Sequence, residues 1–393
     1  MYSLLRGIRV IELALLAPDL VGMHLADLGA DVIKIEEPPD GDYLRVIGPR
    51  RLGGLSLMHL RWNRGKRSVT LDLKRAEGRE LLGRLAARSD VFIDGLRAGA
   101  AARLGAGYEA LRGKNPAIVY CSISGAGQSG PYARLATHGV AYDAFAGLAP
   151  PALRADGDPA IPRYTPVGMF AGPLYAAMAV CAAVVHAKTT GAGCHLDIAE
   201  LDAAVSWQAE RIDGALNGID AGSAGMADAV RYQYYRTRDD RVVLFQASER
   251  KFWQRFCDGV GRGDLFEAKP GVTAGDHAAG DETLRRELAA IFRTRTREEW
   301  VRFFIERDVP GAPVYDADEI HGDVHFRARD LIVAQEHPSA GPVRLFGTPV
   351  KVAGQRFDTS PAPQAGAHTE EILTSLLGLS AEEVATLRRT GTV

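Results

Sequence analysis

Residues 166–178 read PVGMFAGPLYAAM, a turn of small residues that opens into a run of helix formers. Turns of this kind often present a reactive side chain in α/β enzymes. The prominent side chain here is Met169, a thioether with no proton to exchange, and its simplest role is to fill an apolar gap. Two other groups able to do acid/base chemistry stand apart from it in sequence. His138 follows the glycine-rich loop Gly125 to Gly130. A lone loop histidine is ordinarily structural or exposed, and becomes an acid or base only where the fold brings it to a ligand. Asp19 is a carboxylate just ahead of a predicted helix, where capping that helix is the simpler reading.

The elements that must position these groups follow from periodicity. RVIEL (9–13), DVIKI (31–35), the run 68–73, DVFID (90–94) and AIVYCSI (117–123) read as strands, and 20–28 and 75–88 as helices between them. Strand and helix in alternation imply a parallel sheet wrapped by helices, whose ligand lies beyond the carboxyl ends of the strands. Beyond Trp207 the texture changes. GALNGIDAGSAGMADA reads as a loop, YQYYRTRDDRVVLFQAS as a hairpin, and 249–260, 281–293 and 297–306 as helices. The predicted organisation is α/β: a Rossmann-like large domain from 1–207 and 321–393, a linker over 208–224, and a smaller α+β domain over 225–320. Near the end of the chain, Ser380 with Glu383 three residues on predicts a capping box.

Composition narrows the function. The 393 residues, 46% of them hydrophobic, can fill two cores, and the formal charge of −2 shows no basic excess for nucleic acid. The four cysteines (Cys121, Cys181, Cys194, Cys257) are scattered without metal-ligand spacing, so no metal site is expected and a reducing, cytoplasmic setting is. The first twenty residues lack the pattern of a signal peptide, and Glu12 interrupts their apolar run. The longest apolar segment, 170–186, reads as a buried core helix rather than a membrane span.

Five blocks carry a resemblance. LRGIRVIELALLAPDLVGMHLADLGADVIKIEEP, NRGKRSVTLDLK, GLRAGAAARLGAGYEAL, IVYCSISGAGQSGPYA and TGAGCHLDIAELDAAVSW, in that order, resemble the family III CoA-transferases, the CaiB/BaiF family, which includes formyl-CoA and carnitine CoA-transferases and α-methylacyl-CoA racemases. The resemblance implies an interlocked homodimer, an acyl-CoA substrate on the large domain, and no tightly bound cofactor beyond the coenzyme A of the substrate. The phosphates of CoA need cations. Arg64 and Lys66, with Arg67, in NRGKR, and Arg97 and Arg103 in GLRAGAAARLG are the expected ones, with Gly125 and Gly127 letting the backbone approach the pantetheine or thioester.

The resemblance also shows where this chain departs. Transferases of the family attack the acyl-CoA carbonyl with an aspartate in a V-A-D or V-G-D turn, and VGM places Met169 at that position. Leu16 occupies the place of a catalytic glutamine. The racemase pattern implies a His followed by Asp. Here His138 is followed by Gly139, which leaves one proton carrier, and Glu249 falls where a small-domain glutamate approaches the active site. The catalytic candidates are therefore His138, Glu249 and Asp19. Three functions stay open: His138-assisted proton chemistry on an acyl-CoA with backbone amides steadying the enolate, true transfer through another carboxylate such as Asp19, or acyl-CoA binding without catalysis. Tyr232, Tyr234, Tyr235 and Phe252 are candidates for lining the acyl side.

Overall fold

The computed structural model describes residues 1–219, 226–273 and 275–393. Two compact units emerge, one of 1–210 with 331–393 and one of 211–330. The first is built on six strands: β1 (Arg9–Ala14), β2 (Asp31–Glu36), β3 (Arg67–Thr70), β4 (Val91–Gly95), β5 (Val119–Ser124) and β6 (His195–Ala199). Every pairing is parallel, and the order across the sheet is 6-5-4-1-2-3. This doubly wound order reverses between β1 and β4, and it opens a crevice there at the carboxyl ends of the strands.

Helices cover both faces. On one, α1 (Asp19–Asp27) and the long α4 (Gly168–Thr190) pack Val21, Leu25, Ala176, Val180 and Ala183 against Val10, Val32, Ile93 and Val119. On the other, α2 (Ala76–Ala86) and the C-terminal helix Thr369–Leu377 bury Leu81, Leu82, Leu85, Ile372 and Leu373 against Ile11, Ile33, Val69 and Phe92. Strands buried on both faces read as near-continuous apolar runs, which is why they were recognisable from sequence. The second half of the unit adds α3 (Val140–Phe145) and α5 (Glu200–Ser206).

The α4 helix runs longer than the apolar stretch suggests. Its 23 residues continue to Gly191, which adopts a left-handed conformation (φ 75°) and stops it. By length and composition it is apolar enough to cross a bilayer, and half of its most apolar stretch is buried inside the protein. The expected linker is in part a helix, Ala209–Leu216. Its remainder, from 220, falls outside the described residues.

The second unit is a three-stranded antiparallel sheet of Tyr232–Arg236, Val242–Gln246 and Gly311–Val314. The helices Arg250–Val260, Glu282–Phe292 and Arg297–Arg307 enclose an aromatic core of Trp253, Phe256, Phe292, Trp300, Phe303 and Phe304 with it. Tyr235 belongs to that core: its ring stacks on Phe292 at 4.7 Å and its hydroxyl donates to the Val230 carbonyl at 2.7 Å. A role for Tyr235 in lining an acyl site is thereby corrected. The predicted capping box at Ser380 and Glu383 is present, with both reciprocal hydrogen bonds made.

Candidate active site

The crevice at the switch point widens into a cavity of about 1100 Å³. Its walls are the segments that leave the sheet at its carboxyl ends: 15–18 after β1, 95–100 after β4 and 123–126 at the end of β5, together with the loop 133–139 and the starts of α4 and α5. Leu16 stands in this wall with φ 61°, a left-handed conformation that costs a branched residue on the order of 1 kcal/mol and is characteristic of functional loops. Gly125 is required by packing, since a Cβ there would lie 1.9 Å from the Thr137 hydroxyl oxygen. A side chain there would force Thr137, next to His138, to shift.

The start of α4 is fixed from outside the helix. The buried Asp143 accepts from the backbone amides of Val167 and Gly168, both at 2.9 Å, and so satisfies orphan donors of the first turn. That anchors Met169 in the cavity wall, where its side chain joins two apolar clusters. One is Leu16, Leu20, Met23, Leu44 and Trp62, the other Tyr142, Leu201 and Ala204.

Several residues singled out from sequence meet here. His138 is exposed in the cavity wall, and its ring makes no hydrogen bond among the described residues. Arg97 and Arg103 line the same cavity with exposed side chains that make no ion pair among the described residues. Arg134, on the loop before His138, is a third exposed cation of this wall that sequence reading passed over. Gly125 lines the cavity. Gly127 stands just outside it, packed near the Asp197 carboxylate, which accepts from the Gln128 amide at 3.1 Å. Glu249 lies in the second unit as the N-cap residue of Arg250–Val260, and its side chain accepts from the Ser248 hydroxyl at 3.1 Å instead of capping the helix.

Three expected site residues are elsewhere. Lys66 is 2% exposed, and its ammonium donates to Glu12 at 2.5 Å, to the Asp19 carbonyl at 2.7 Å and to Asn63 Oδ1 at 3.1 Å. Arg64 is fully buried, paired with Asp27 at 2.5 Å, and donates to the Gly347 carbonyl at 3.2 Å, which ties the C-terminal segment to the sheet. Neither cation can reach a phosphate without breaking these bonds. Asp19 is fully buried too, in an ion pair with Lys34, and Lys34 is shared with Asp42 at 2.9 Å. Burial pushes the Asp19 carboxyl up to about 8 against the pull of Lys34 and Lys66. Held in these bonds, it does not line the cavity.

The residue that sequence reading missed is Glu200. It opens α5 directly after β6, is 1% exposed, and lines the cavity. Its Oε1 has no hydrogen-bond partner among the described residues. Burial pushes the carboxyl up to about 7, with the Tyr142 hydroxyl bonding to it and pulling the other way. In HLDIAELDAAV it reads as an ordinary acidic residue in a first helical turn. The available signal was positional: the residue just past the carboxyl end of a parallel strand is where such folds keep their ligand contacts.

The comparisons with known proteins agree with this architecture. The sequence profile of CoA-transferase family III matches residues 5–369. A succinate–glutarate CoA-transferase of Agrobacterium fabrum is 32% identical over 384 residues, covering 95% of each chain. The human α-methylacyl-CoA racemase is 31% identical over 397 residues, covering 97% of this chain and 95% of the racemase. Among solved structures, a CaiB/BaiF family protein from Brucella suis superposes with a TM-score of 0.77 at 28% identity, over 96% of this chain and all of that one. The chain is an enzyme of CoA-transferase family III.

Proposed function

We propose that this enzyme seats an acyl-CoA in the switch-point cavity and acts on the α-carbon of the acyl group rather than by covalent transfer. The observation that carries the reading is the Met169 thioether in the cavity wall at the start of α4. Covalent transfer needs a carboxylate to form a mixed anhydride and then an enzyme thioester, and a thioether forms neither. Arg97, Arg103 and Arg134 supply unpaired positive charge for the phosphates. His138 takes the α-proton: the C–H bond breaks, its electron pair passes through the α-carbon to the thioester oxygen as an enolate, and the imidazolium returns the proton in the reverse step. Likeness to a transferase and to a racemase supports a CoA-thioester substrate, and likeness to the racemase alone supports chemistry of this kind. The interlocked homodimer is what the family resemblance implies, and the apolar face of α4 left exposed by Phe170, Leu174, Tyr175, Met178 and Val185 supports only that a partner chain covers it.

The test combines calorimetric titration with CoA and incubation with propionyl-CoA in D2O, followed by mass spectrometry. The wild-type chain is expected to bind CoA and to wash deuterium into the α-position, with His138→Ala slower by about a hundredfold. An acyl adduct trapped by hydroxylamine on any side chain would sink the reading in favour of covalent transfer.

A further inference from the structure

We infer that Glu200 is a catalytic carboxyl of this enzyme, an acid/base that exchanges a proton with the α-carbon of the acyl thioester in the cavity it shares with His138. The inference rests on the acyl-CoA reading and adds a second proton carrier to it. Its first support is the state of the side chain. Two other glutamates are as deeply buried, and both are neutralised: Glu12 by Lys66 at 2.5 Å and Glu36 by Arg45 at 2.6 Å. Glu200 has no cation beside it, and its Oε1 has no partner among the described residues. An unmet buried oxygen works against folding and is not by itself diagnostic, since Asp143 also has one while it holds the start of α4; Glu200 differs in lining the cavity.

Its second support is the local architecture. A Cβ on Gly172 would lie 2.8 Å from the Glu200 Cγ, so only glycine at 172 leaves the acidic side chain its space. Met169 precedes Gly172 by three residues on α4 and therefore shares its helix face. The Met169 side chain also packs with Leu201 and Tyr142, which places the thioether beside the first turn of α5. Glu200 thus brings a carboxyl to the neighbourhood of the inert thioether by a different element, from β6 and α5 instead of α4. A carboxyl that burial holds near neutrality is matched to giving and taking protons at physiological pH.

The step balances without a co-reactant. Ionised Glu200 accepts the α-hydrogen as a proton, the C–H pair becomes the enolate, and the resulting carboxylic acid or the His138 imidazolium returns a proton to the same carbon. Return to the opposite face of the enolate inverts the centre when the α-carbon is branched, and return from a carrier that has exchanged with solvent brings solvent hydrogen to it.

The decisive experiment measures CoA binding by calorimetry and α-proton exchange of propionyl-CoA and 2-methylbutanoyl-CoA in D2O by mass spectrometry. Wild type is compared with Glu200→Gln, Glu200→Asp and the exposed neighbour Asp202→Asn. Glu200→Gln is isosteric and uncharged and is expected to keep CoA affinity while exchange falls by about a hundredfold. The ionisation near neutral pH in the exchange profile should disappear with it. Glu200→Asp should exchange at an intermediate rate with a displaced profile, and Asp202→Asn as wild type. Exchange that survives undiminished in Glu200→Gln, while His138→Ala abolishes it, overturns this inference and leaves the acyl-CoA reading standing. An acyl adduct on Glu200 overturns its acid/base role and makes it a nucleophile. Wild-type protein that does not bind CoA, or binds without exchange, brings down the underlying reading and this inference with it.

Discussion

Glu12 and Glu200 are equally hidden from water, at 0% and 1% exposure, and the protein treats them in opposite ways. Around Glu12 the region between α1 and the β1–β3 side of the sheet is dense with ion pairs: Lys66 on Glu12, Lys34 between Asp19 and Asp42, Arg64 on Asp27, Arg45 on Glu36. Although burial alone would push Glu36 up, its hydrogen bonds and attraction to Arg45 outweigh that and hold the carboxyl below its usual value. Around Glu200 no cation is supplied and one oxygen is left unmet. Burial therefore does not distinguish scaffold from site. The neighbouring cation and the cavity do: Glu12 carries Lys66 at 2.5 Å, whereas Glu200 lines the cavity without one among the described residues.

The largest effect that could break this contrast is expected on the paired side. Lys66→Met leaves the Glu12 carboxylate buried without its cation, which costs about 3–5 kcal/mol, close to the whole stability of an ordinary domain. Urea denaturation should show a collapse of the midpoint. Any folded fraction should bind CoA as wild type does, because the ammonium faces Glu12 rather than the cavity. Near-native stability with lost CoA affinity would return Lys66 to the binding site.

On the cavity side the sign reverses. With the Glu200 carboxyl raised to about 7 from an ordinary value of 4.5, the folded chain holds this proton more tightly than the unfolded one. The associated stability is complete below pH 4.5 and is lost as pH rises through 7. The full loss is on the order of 3 kcal/mol. Glu200→Gln removes that titration, so the variant is expected to be more stable than wild type at pH 8 and to lack the decline between 4.5 and 7. Denaturation midpoints at pH 5 and pH 8 check this. A variant destabilised equally at both would make Glu200 a structural residue.

These two regions also mark how far the sequence could be read. The parallel strands, the helices between them, the hairpin and the Ser380 capping box were legible, because a buried strand, an amphipathic helix and a cap each write a local pattern. Charge pairing is not local. Lys66 meets Glu12 across 54 positions and Arg64 meets Asp27 across 37, so NRGKR reads as a solvent-facing cluster of cations until the fold shows the carboxylates behind it. The same limit hid Glu200, whose meaning lies in partners it does not have. His138, Arg97 and Arg103 were placed on one cavity by the order of the sheet, which brings the ends of β1, β4 and β5 together. The helix at 209–216 was missed because glycines on its far side drew the whole stretch toward a loop.

A smaller effect tests the phosphate end. Arg97→Ala and Arg103→Ala each remove an exposed cation that the protein itself does not use in an ion pair, so stability should hold. CoA affinity should weaken by about 1 kcal/mol for each, roughly fivefold, with less dependence on salt than in wild type. Calorimetry at two ionic strengths measures both quantities. If neither variant shifts affinity, the charge of this wall serves some other ligand.

The smallest effect is expected where the sequence first draws the eye. Met169 packs against the apolar cluster of Leu20, Met23, Leu44 and Trp62 and against that of Tyr142, Leu201 and Ala204, surroundings that offer its sulfur no polar partner. Met169→Leu conserves volume and apolarity, so it should cost less than about 1.5 kcal/mol in stability and leave proton exchange on a bound acyl-CoA within a fewfold of wild type. Met169→Asp is a different change, because it puts a second carboxyl beside Glu200 in a wall that already lacks a cation. Like charge would then raise one or both ionisations, and exchange should shift to higher pH. If the leucine variant loses exchange outright while binding CoA normally, the thioether is part of the chemistry and the division between an inert turn and an active carboxyl fails at its simplest point.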